Sequence, residues 1–229
     1  PPRGGNANAR SETWYAGGAV TTLIAAARTG ATAVHGGAHG TGPHGDVIRE
    51  ALARDGVTLS DAKRPDMDTG YCTVLLEPSA ERTFLTVYGA ERDITAASLA
   101  TLEPEPGDLV CVSGYSLFEP TRAPLLEFLE ALPEGVDVVL DPGAPFATFP
   151  REVQNRVLSR TTVWTSNADE AKALTQLDAL EDTPESIRRW LAPGAVVVVR
   201  DGDQGCVVFH HGRGTQIPAF PQTAIDTNG

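Results

Sequence analysis

Four short apolar runs, each followed by a helical pattern or a glycine loop, constrain this chain more than any other feature. They are Leu109 to Ser113, Val136 to Asp141, Thr162 to Thr165 (running on to Asn167) and Val196 to Arg200. Runs this short, apolar at consecutive rather than alternate positions, read as strands buried on both faces. Helical patterns fill the intervals, at Ala123 to Leu132, Arg151 to Leu158, Ala168 to Leu174 and Pro184 to Leu191. Thr183-Pro184 has the form of an N-cap hydroxyl followed by proline in the first turn. Upstream, Gly18 to Arg28 reads as a helix stopped by Gly30, Ala31 to His35 as a strand, and Asp46 to Arg54 as a helix ending near Gly56. Strand–helix alternation with short connections predicts an α/β fold, a doubly wound and mostly parallel sheet flanked by helices.

Two stretches break the alternation. Pro1 to Tyr15 is polar and turn-rich, and Thr69 to Tyr88 reads as two period-2 strands around Pro78-Ser79-Ala80-Glu81. Together they suit a small β lid. The expected organisation is one domain over 1–229, with lid segments 1–16 and 66–92 and a core of 17–65 and 93–229. The chain reads as a piece of that fold, cut at both ends.

The formal net charge of −12 argues against a nucleic-acid partner, since phosphate backbones require a basic face. Lys63 and Lys172 are the only lysines and neither lies in a glycine loop, so a G-x-x-x-x-G-K-[ST] phosphate loop is absent. No apolar run approaches the roughly 20 residues that span a bilayer, and no signal peptide is evident, so the expectation is no membrane partner and a cytoplasmic location. Cys72, Cys111 and Cys206 lie far apart in apolar or β-branched stretches and are expected to be buried, reduced thiols.

Ligands of an open parallel sheet bind beyond the carboxyl ends of its strands. The residues delivered there are Asp141, Asn167 with Glu170 one turn later, Arg200 running into Gly202 to Gly205, and Asp226 with Gly229. Carboxylates and an amide beside glycine loops suit a magnesium–phosphate ligand, because the acids hold the metal through water and bare N–H groups cradle phosphate. Each part has a plainer reading. Asn167-x-x-Glu170 also fits a helix capping box, and Gly202, Gly205 and Asp141-Pro142-Gly143 also fit turns.

The order of motifs resembles the ribokinase-like (PfkB) carbohydrate kinases. Gly17-Gly18 with the Ala-rich helix to Gly30, then Gly37, Gly40, Gly45, Leu52 and Gly56-Val57, resemble the first signature. Thr69-Gly70, Glu81-Arg82-Thr83 and Gly89-Ala90 look like the lid hairpin. Ser113-Gly114-Tyr115, Asp141-Pro142, Asn167-x-x-Glu170, Gly202-x-x-Gly205 and Asp226-Thr227-Asn228-Gly229 follow in family order. The resemblance implies ATP-dependent phosphorylation of a hydroxyl on a small sugar or related polyol. Gly17, Gly18, Thr21, Gly42 and Tyr115 would face that substrate. Asn167, Arg200, Gly202 and Gly205 would line nucleotide and phosphate. Asn167, Glu170 and Asp141 would organise Mg2+, and Asp226 a monovalent cation such as K+. Gly229 would open the anion-hole loop, with the general-base aspartate expected after it. Self-association as a homodimer through the β lid is implied as well.

The chain departs from the pattern at four positions. Thr21 stands where the first signature usually has asparagine, Gly42 where it has an acid, Arg200 where threonine is common and Gly143 where asparagine is. The first two lie on the sugar side. Two other readings remain open from the residues. Gly40-Thr41-Gly42-Pro43-His44-Gly45 matches G-x-G-x-x-G with Asp61 about 20 residues on, as in an NAD(P)-binding oxidoreductase. Against it, Pro43 lacks an N–H and Gly40 lies five positions after His35. The other is a non-catalytic sugar-binding regulator on the kinase fold. His35, His39 and His44 read as a flexible surface loop rather than a metal site, and His210-His211 as exposed at a strand end.

Overall fold

The computed structural model describes residues 12–59, 63–76 and 82–221. In chain order its elements are α1 (Ala19–Arg28), β1 (Val34–His35), β2 (His39–Gly40), α2 (Pro43–Arg54), β3 (Thr58–Leu59), β4 (Lys63–Arg64), β5 (Tyr71–Leu76) and β6 (Arg82–Val87). These are followed by α3 (Ala96–Ala100), β7 (Leu109–Ser113), α4 (Arg122–Ala131), β8 (Asp137–Asp141), α5 (Arg151–Leu158), β9 (Val163–Asn167), α6 (Ala168–Thr175), α7 (Thr183–Arg188), β10 (Val196–Arg200), β11 (Cys206–His210) and β12 (Arg213–Ile217).

Six strands form the main sheet in the order β12-β11-β10-β9-β8-β7. The four apolar runs are its parallel strands, and β11 and β12 add to one side as antiparallel partners. The consecutive valines of β10 follow from burial. Val197 and Val199 point into a core built around Trp164, Phe146 and Leu140, while Val196 and Val198 are half-buried on the opposite face. Trp164 is fully enclosed. Phe146 meets it edge-on at 5.8 Å, and its indole N–H donates to Ser166 Oγ at 2.9 Å, so the one polar atom of the ring is satisfied.

A second, smaller core joins the first two helices, with Val20, Ala33, Leu52 and Val57 at its centre. The lid hairpin is a separate antiparallel sheet, with Tyr71 opposite Val87 and Val74 opposite Phe84. The turn expected at Pro78 to Glu81, the segment Pro1 to Ser11 and the glycine-loop ending at Asp226 and Gly229 lie outside the described residues. Residues 12–17 have no regular structure.

Three expectations need correction. Thr183 is the first helical residue of α7 rather than its cap, and its hydroxyl donates back to Leu180 O at 2.9 Å. The thiols are free but not buried: Cys72 and Cys111 are exposed and Cys206 half-buried, because β5 belongs to an open two-stranded sheet and β7 is an edge strand. His35 and His39 are interior rather than on a surface loop, at 7% and 1% exposure. Gly36 packs under Leu102 and the His35 ring folds against Gly37, and His35 Nδ1 and both ring nitrogens of His39 have no partner among the described residues.

Burial, followed by the nearby His39, pushes the pKa of His35 from 6.5 down to about 4. The native ring is therefore neutral where the unfolded one takes a proton. Its stability contribution is complete above pH 6.5 and is lost as pH falls toward 4. Melting temperature should drop over that interval, and His35→Phe should flatten the drop, as read by calorimetry at a series of pH values.

Candidate phosphotransfer site

The parallel ladder sets the geometry at the carboxyl edge. Ser113 pairs with Asp141, and Asn167 with Arg200, so the strand-end residues stand as two level pairs, the second stepped beyond the first. Asn167 ends β9 and caps α6 at once. Its Oδ1 accepts the Glu170 N–H at 2.8 Å, and Glu170 Oε2 accepts the Asn167 N–H at 2.9 Å. The capping box is therefore formed, and it aims Glu170 back over the strand ends.

There Glu170 meets the charge of Asp141. Arg200 lies between the acids, with one guanidinium nitrogen 3.6 Å from Asp141 Oδ2 and Nε donating to Ser166 O at 3.3 Å. Burial pushes the Glu170 pKa up and Asp141 adds to it, while the Asn167 N–H and Arg200 act in the opposite sense. Two acids and one half-committed arginine leave a local excess of negative charge facing the strand ends. That donor set of hard oxygens fits a hydrated divalent cation.

Tyr115 belongs to this group rather than to the sugar side alone. Its ring covers Gly143, where an added Cβ would lie 2.6 Å from Tyr115 Cε2, so a side chain there would displace the ring. Desolvation of the hydroxyl, then Glu170, Asp141 and Tyr88, push its pKa up. Arg92 ties the lid to this loop. It donates to Tyr115 O at 3.0 Å and Glu119 O at 2.6 Å, and stacks on Tyr88 at 5.0 Å. Neither Tyr88 nor Arg92 stands out in sequence, because their role depends on the return of the hairpin.

The glycine positions divide. Gly202 is exposed, and a Cβ there would meet nothing. Gly205 has φ 89° and ψ −130°, and a Cβ would run into the backbone of Ile217 to Ala219. Its lack of a side chain is thus set by its positive φ and by the end of β12 packed against it. Gly205→Ala should cost about 1–3 kcal/mol of stability. Gly202 has φ 53° as well, so the two differ in space alone, and Gly202→Asn, a residue that enters the left-handed region readily, should cost less than Gly205→Ala; chemical denaturation of both variants checks the contrast.

On the other side, Gly18 caps α1 with φ 59°, Thr21 Oγ1 donates to Gly18 O at 2.7 Å, and a Cβ on Gly17 or Gly18 would enter open space. Gly42 caps α2 with its Cβ position already filled, since Asp68 Cγ lies 2.5 Å from it. Asp68 accepts from the N–H groups of His44, Gly45 and Thr69 at 3.1, 2.9 and 2.8 Å. Burial opposes its charge, but these three donors and His44 hold its pKa below the usual carboxylate range. Trp14 packs on His44 at 4.6 Å and on Tyr71 at 5.8 Å, which draws the approach to Gly17, the start of α2 and the lid together. Trp14, Asp68 and Tyr71 were not singled out in the sequence, and His44 was read only as part of a glycine-rich loop. The Gly42 departure was the available signal, because a missing acid invites a search for a substitute.

The same contacts overturn the dinucleotide reading. The glycines of the Gly40 to Gly45 loop are closed by protein: a Cβ on Gly40 would strike Asp68 and Met67, and one on Gly45 would strike Gly40 O. The N–H groups at the start of α2 already hold a carboxylate, so no pyrophosphate has access to them. The loop also lies in a two-stranded sheet with Lys63–Arg64, away from the main one. Asp61 lies outside the described residues.

A doubly wound sheet with acids gathered at its carboxyl edge, beside a β hairpin lid, defines a small-molecule kinase of the ribokinase fold. The chain belongs to the pfkB family of carbohydrate kinases, whose family model matches residues 3–229. It is 30% identical over 232 residues to the uncharacterized sugar kinase YegV of Escherichia coli, covering all of this chain and 72% of that protein. Among solved structures it is similar to fructokinase from Vibrio cholerae bound to fructose, ADP and calcium, with TM-score 0.77, 22% identity, and coverage of 93% of this chain and 71% of that one. It is also similar to aminoimidazole riboside kinase from Salmonella enterica in complex with its riboside and an ATP analog, with TM-score 0.73, 20% identity, and the same two coverages. As a family member it is a phosphotransferase with an alcohol group as acceptor. No helix among the described residues is long and apolar enough to cross a membrane.

Because the native Glu170 pKa is raised, the native state binds the proton more readily than the unfolded chain, and ionised Glu170 lowers stability as pH rises through that window. Glu170→Gln keeps an acceptor for the Asn167 N–H and removes the repulsion from Asp141. Its melting temperature at neutral pH should equal or exceed that of the parent, while turnover falls by orders of magnitude and the magnesium optimum shifts. A lower melting temperature with full turnover would leave Glu170 only a cap.

Proposed function

We propose that this protein transfers the γ-phosphoryl group of ATP to a hydroxyl of a small sugar or related polyol, with the acceptor between the Gly17–Gly18 turn and the lid and the nucleotide along the carboxyl edge. The observation that carries this is the uncompensated pair Asp141 and Glu170 beside Arg200. Asp141, Asn167 and Glu170 would hold Mg2+ through water, since Asn167 Oδ1 and Glu170 Oε2 are engaged in the cap. The metal, when bound, neutralises charge on the β- and γ-phosphate oxygens.

The chain's own residues do the rest. Arg200, pinned by Ser166 O, offers its outer nitrogens to a phosphate oxygen, and Gly202 leaves space for the nucleotide. Tyr115 stands between the acids and the lid through Tyr88, where the acceptor hydroxyl would meet the phosphoryl group. Asp226 as a monovalent-cation ligand and Gly229 as the start of the anion-hole loop rest on the resemblance. The fructokinase and riboside kinase neighbours bind a sugar or riboside and a nucleotide, which supports the same division. Positioning and charge stabilisation then supply most of the rate.

The lid supports the proposed homodimer. Val74, Leu75, Phe84, Leu85 and Val87 are all exposed on a two-stranded sheet, an arrangement marginal in water alone.

A panel of free sugars, polyols and ribosides assayed for ADP release tests the activity. Release above a no-acceptor control is expected for at least one. None above control across the panel would favour a regulator that kept the fold and lost the chemistry. Phe84→Asp should shift the mass measured by light scattering from dimer to monomer.

A further inference from the structure

The turn that carries Tyr115 is pinned along its whole length. Every carbonyl from Tyr115 to Glu119 accepts a hydrogen bond from a side chain. Arg122 Nε donates to Leu117 O at 2.8 Å, and the Thr121 hydroxyl proton is shared between Ser116 O and Phe118 O. Those two donors come from the start of α4, directly after the turn. Of the three side chains, Arg92 alone arrives from elsewhere in the chain. One of its terminal nitrogens donates to Tyr115 O at 3.0 Å and the other to Glu119 O at 2.6 Å.

Arg92 stands at the root of the lid. The residue before it, Glu91, closes the base of the hairpin, since its carboxylate accepts the Gly70 N–H at 2.7 Å and the Gly89 N–H at 2.9 Å. The Arg92 guanidinium then lies over two rings, Tyr88 just after β6 and Phe118 inside the turn. A planar group with fixed N–H directions serves two carbonyls and two rings only while lid root and turn keep one relative position.

The turn presses in its turn on the loop after β8. A Cβ on Gly114 would lie 1.8 Å from Pro142 O, and the Tyr115 ring covers Gly143. The Gly143 N–H donates to Asp141 Oδ1 at 3.2 Å, which orients that carboxylate while Oδ2 faces Arg200.

We propose that Arg92 is a positioning residue for phosphoryl transfer: from the root of the lid it holds the Tyr115 turn against the Asp141–Gly143 loop and so sets the Asp141 carboxylate for the metal. It acts through two backbone carbonyls and a packed loop rather than on the reacting atoms. This inference rests on the acids of the carboxyl edge holding the metal, as proposed above.

The test uses the full-length protein with Arg92→Ala, Arg92→Lys, Tyr88→Leu and the Arg92→Ala/Tyr88→Leu double variant, assayed with magnesium-ATP and the best acceptor of the panel above. Arg92→Ala should lower kcat about 10-fold or more and raise the magnesium concentration for half-maximal rate, with little change in melting temperature. Arg92→Lys, whose single ammonium does not span both carbonyls, should behave like the alanine variant, and added methylguanidinium should restore part of the Arg92→Ala rate. The double variant should lose less than the product of the two single losses, because both break one tie. Amide hydrogen exchange without nucleotide gives a readout independent of turnover: in Arg92→Ala it should quicken at 114–119 and at Gly143, and elsewhere only at the lid root. Parental kcat and magnesium dependence would overturn the inference. So would fully additive losses, or exchange that quickens across the whole chain while the magnesium dependence stays parental. If the parent releases no ADP with any acceptor, local quickening at 114–119 and Gly143 would uphold the hold on Asp141 and sink the kinase reading, whereas unchanged exchange there would overturn this inference as well.

Discussion

The in-register parallel ladder of β7 to β10 is the constraint on which the rest depends. Parallel strands hydrogen-bond evenly, so neighbouring carboxyl ends stand level unless a strand is lengthened. Here Ser113 stands beside Asp141 and Asn167 beside Arg200, with β9 and β10 reaching past the end of β8. The step puts Asp141 below the α6 start and lets Glu170 look down on it. The core supplies the rigidity: Trp164, which sits beside Leu140 in the ladder, is enclosed on all sides, and its N–H is bound by Ser166, one residue short of its own strand end.

The acid cluster at the carboxyl edge was legible because it is carried by strand ends. Short apolar runs announce their own termini, and the residue at each terminus is the one a ligand would meet. Asp141, Asn167, Glu170 and Arg200 came from that rule alone. The capping box was also written in the sequence, and the structure shows that cap and charge cluster are the same residues rather than rival readings. The first core helix was legible from its Ala-rich run and glycine stop, and the lid strands from their period-2 alternation.

The cluster at the start of α2 was not legible because it is assembled across three segments by side chains. Trp14, His44, Asp68 and Tyr71 meet through ring stacking and one carboxylate, and none lies at a place that periodicity marks. Asp68 and Gly42 are 26 positions apart in number, yet one fills the space left by the other. The histidine loop misled for a related reason: its glycines suggested solvent, but they let the chain fold tightly enough to bury His35 and His39. The thiols misled in the opposite direction, since an apolar neighbourhood in sequence does not say whether a strand has a neighbour beyond it.

One junction has an evolutionary reading. Asn167 is at once the last ladder residue of β9 and the cap of α6, so no connecting residue exists between strand and helix. Most junctions in such a fold can drift in length, as the His211–Gly212 turn at the sheet's far side can. Here one inserted residue would rotate the start of α6 by roughly 100° and swing Glu170 off the sheet edge. One deleted residue would break either the ladder or the cap. Among descendants of this chain, substitutions can accumulate on the outer face of α6, but insertions and deletions at its start should be purged wherever phosphotransfer is under selection.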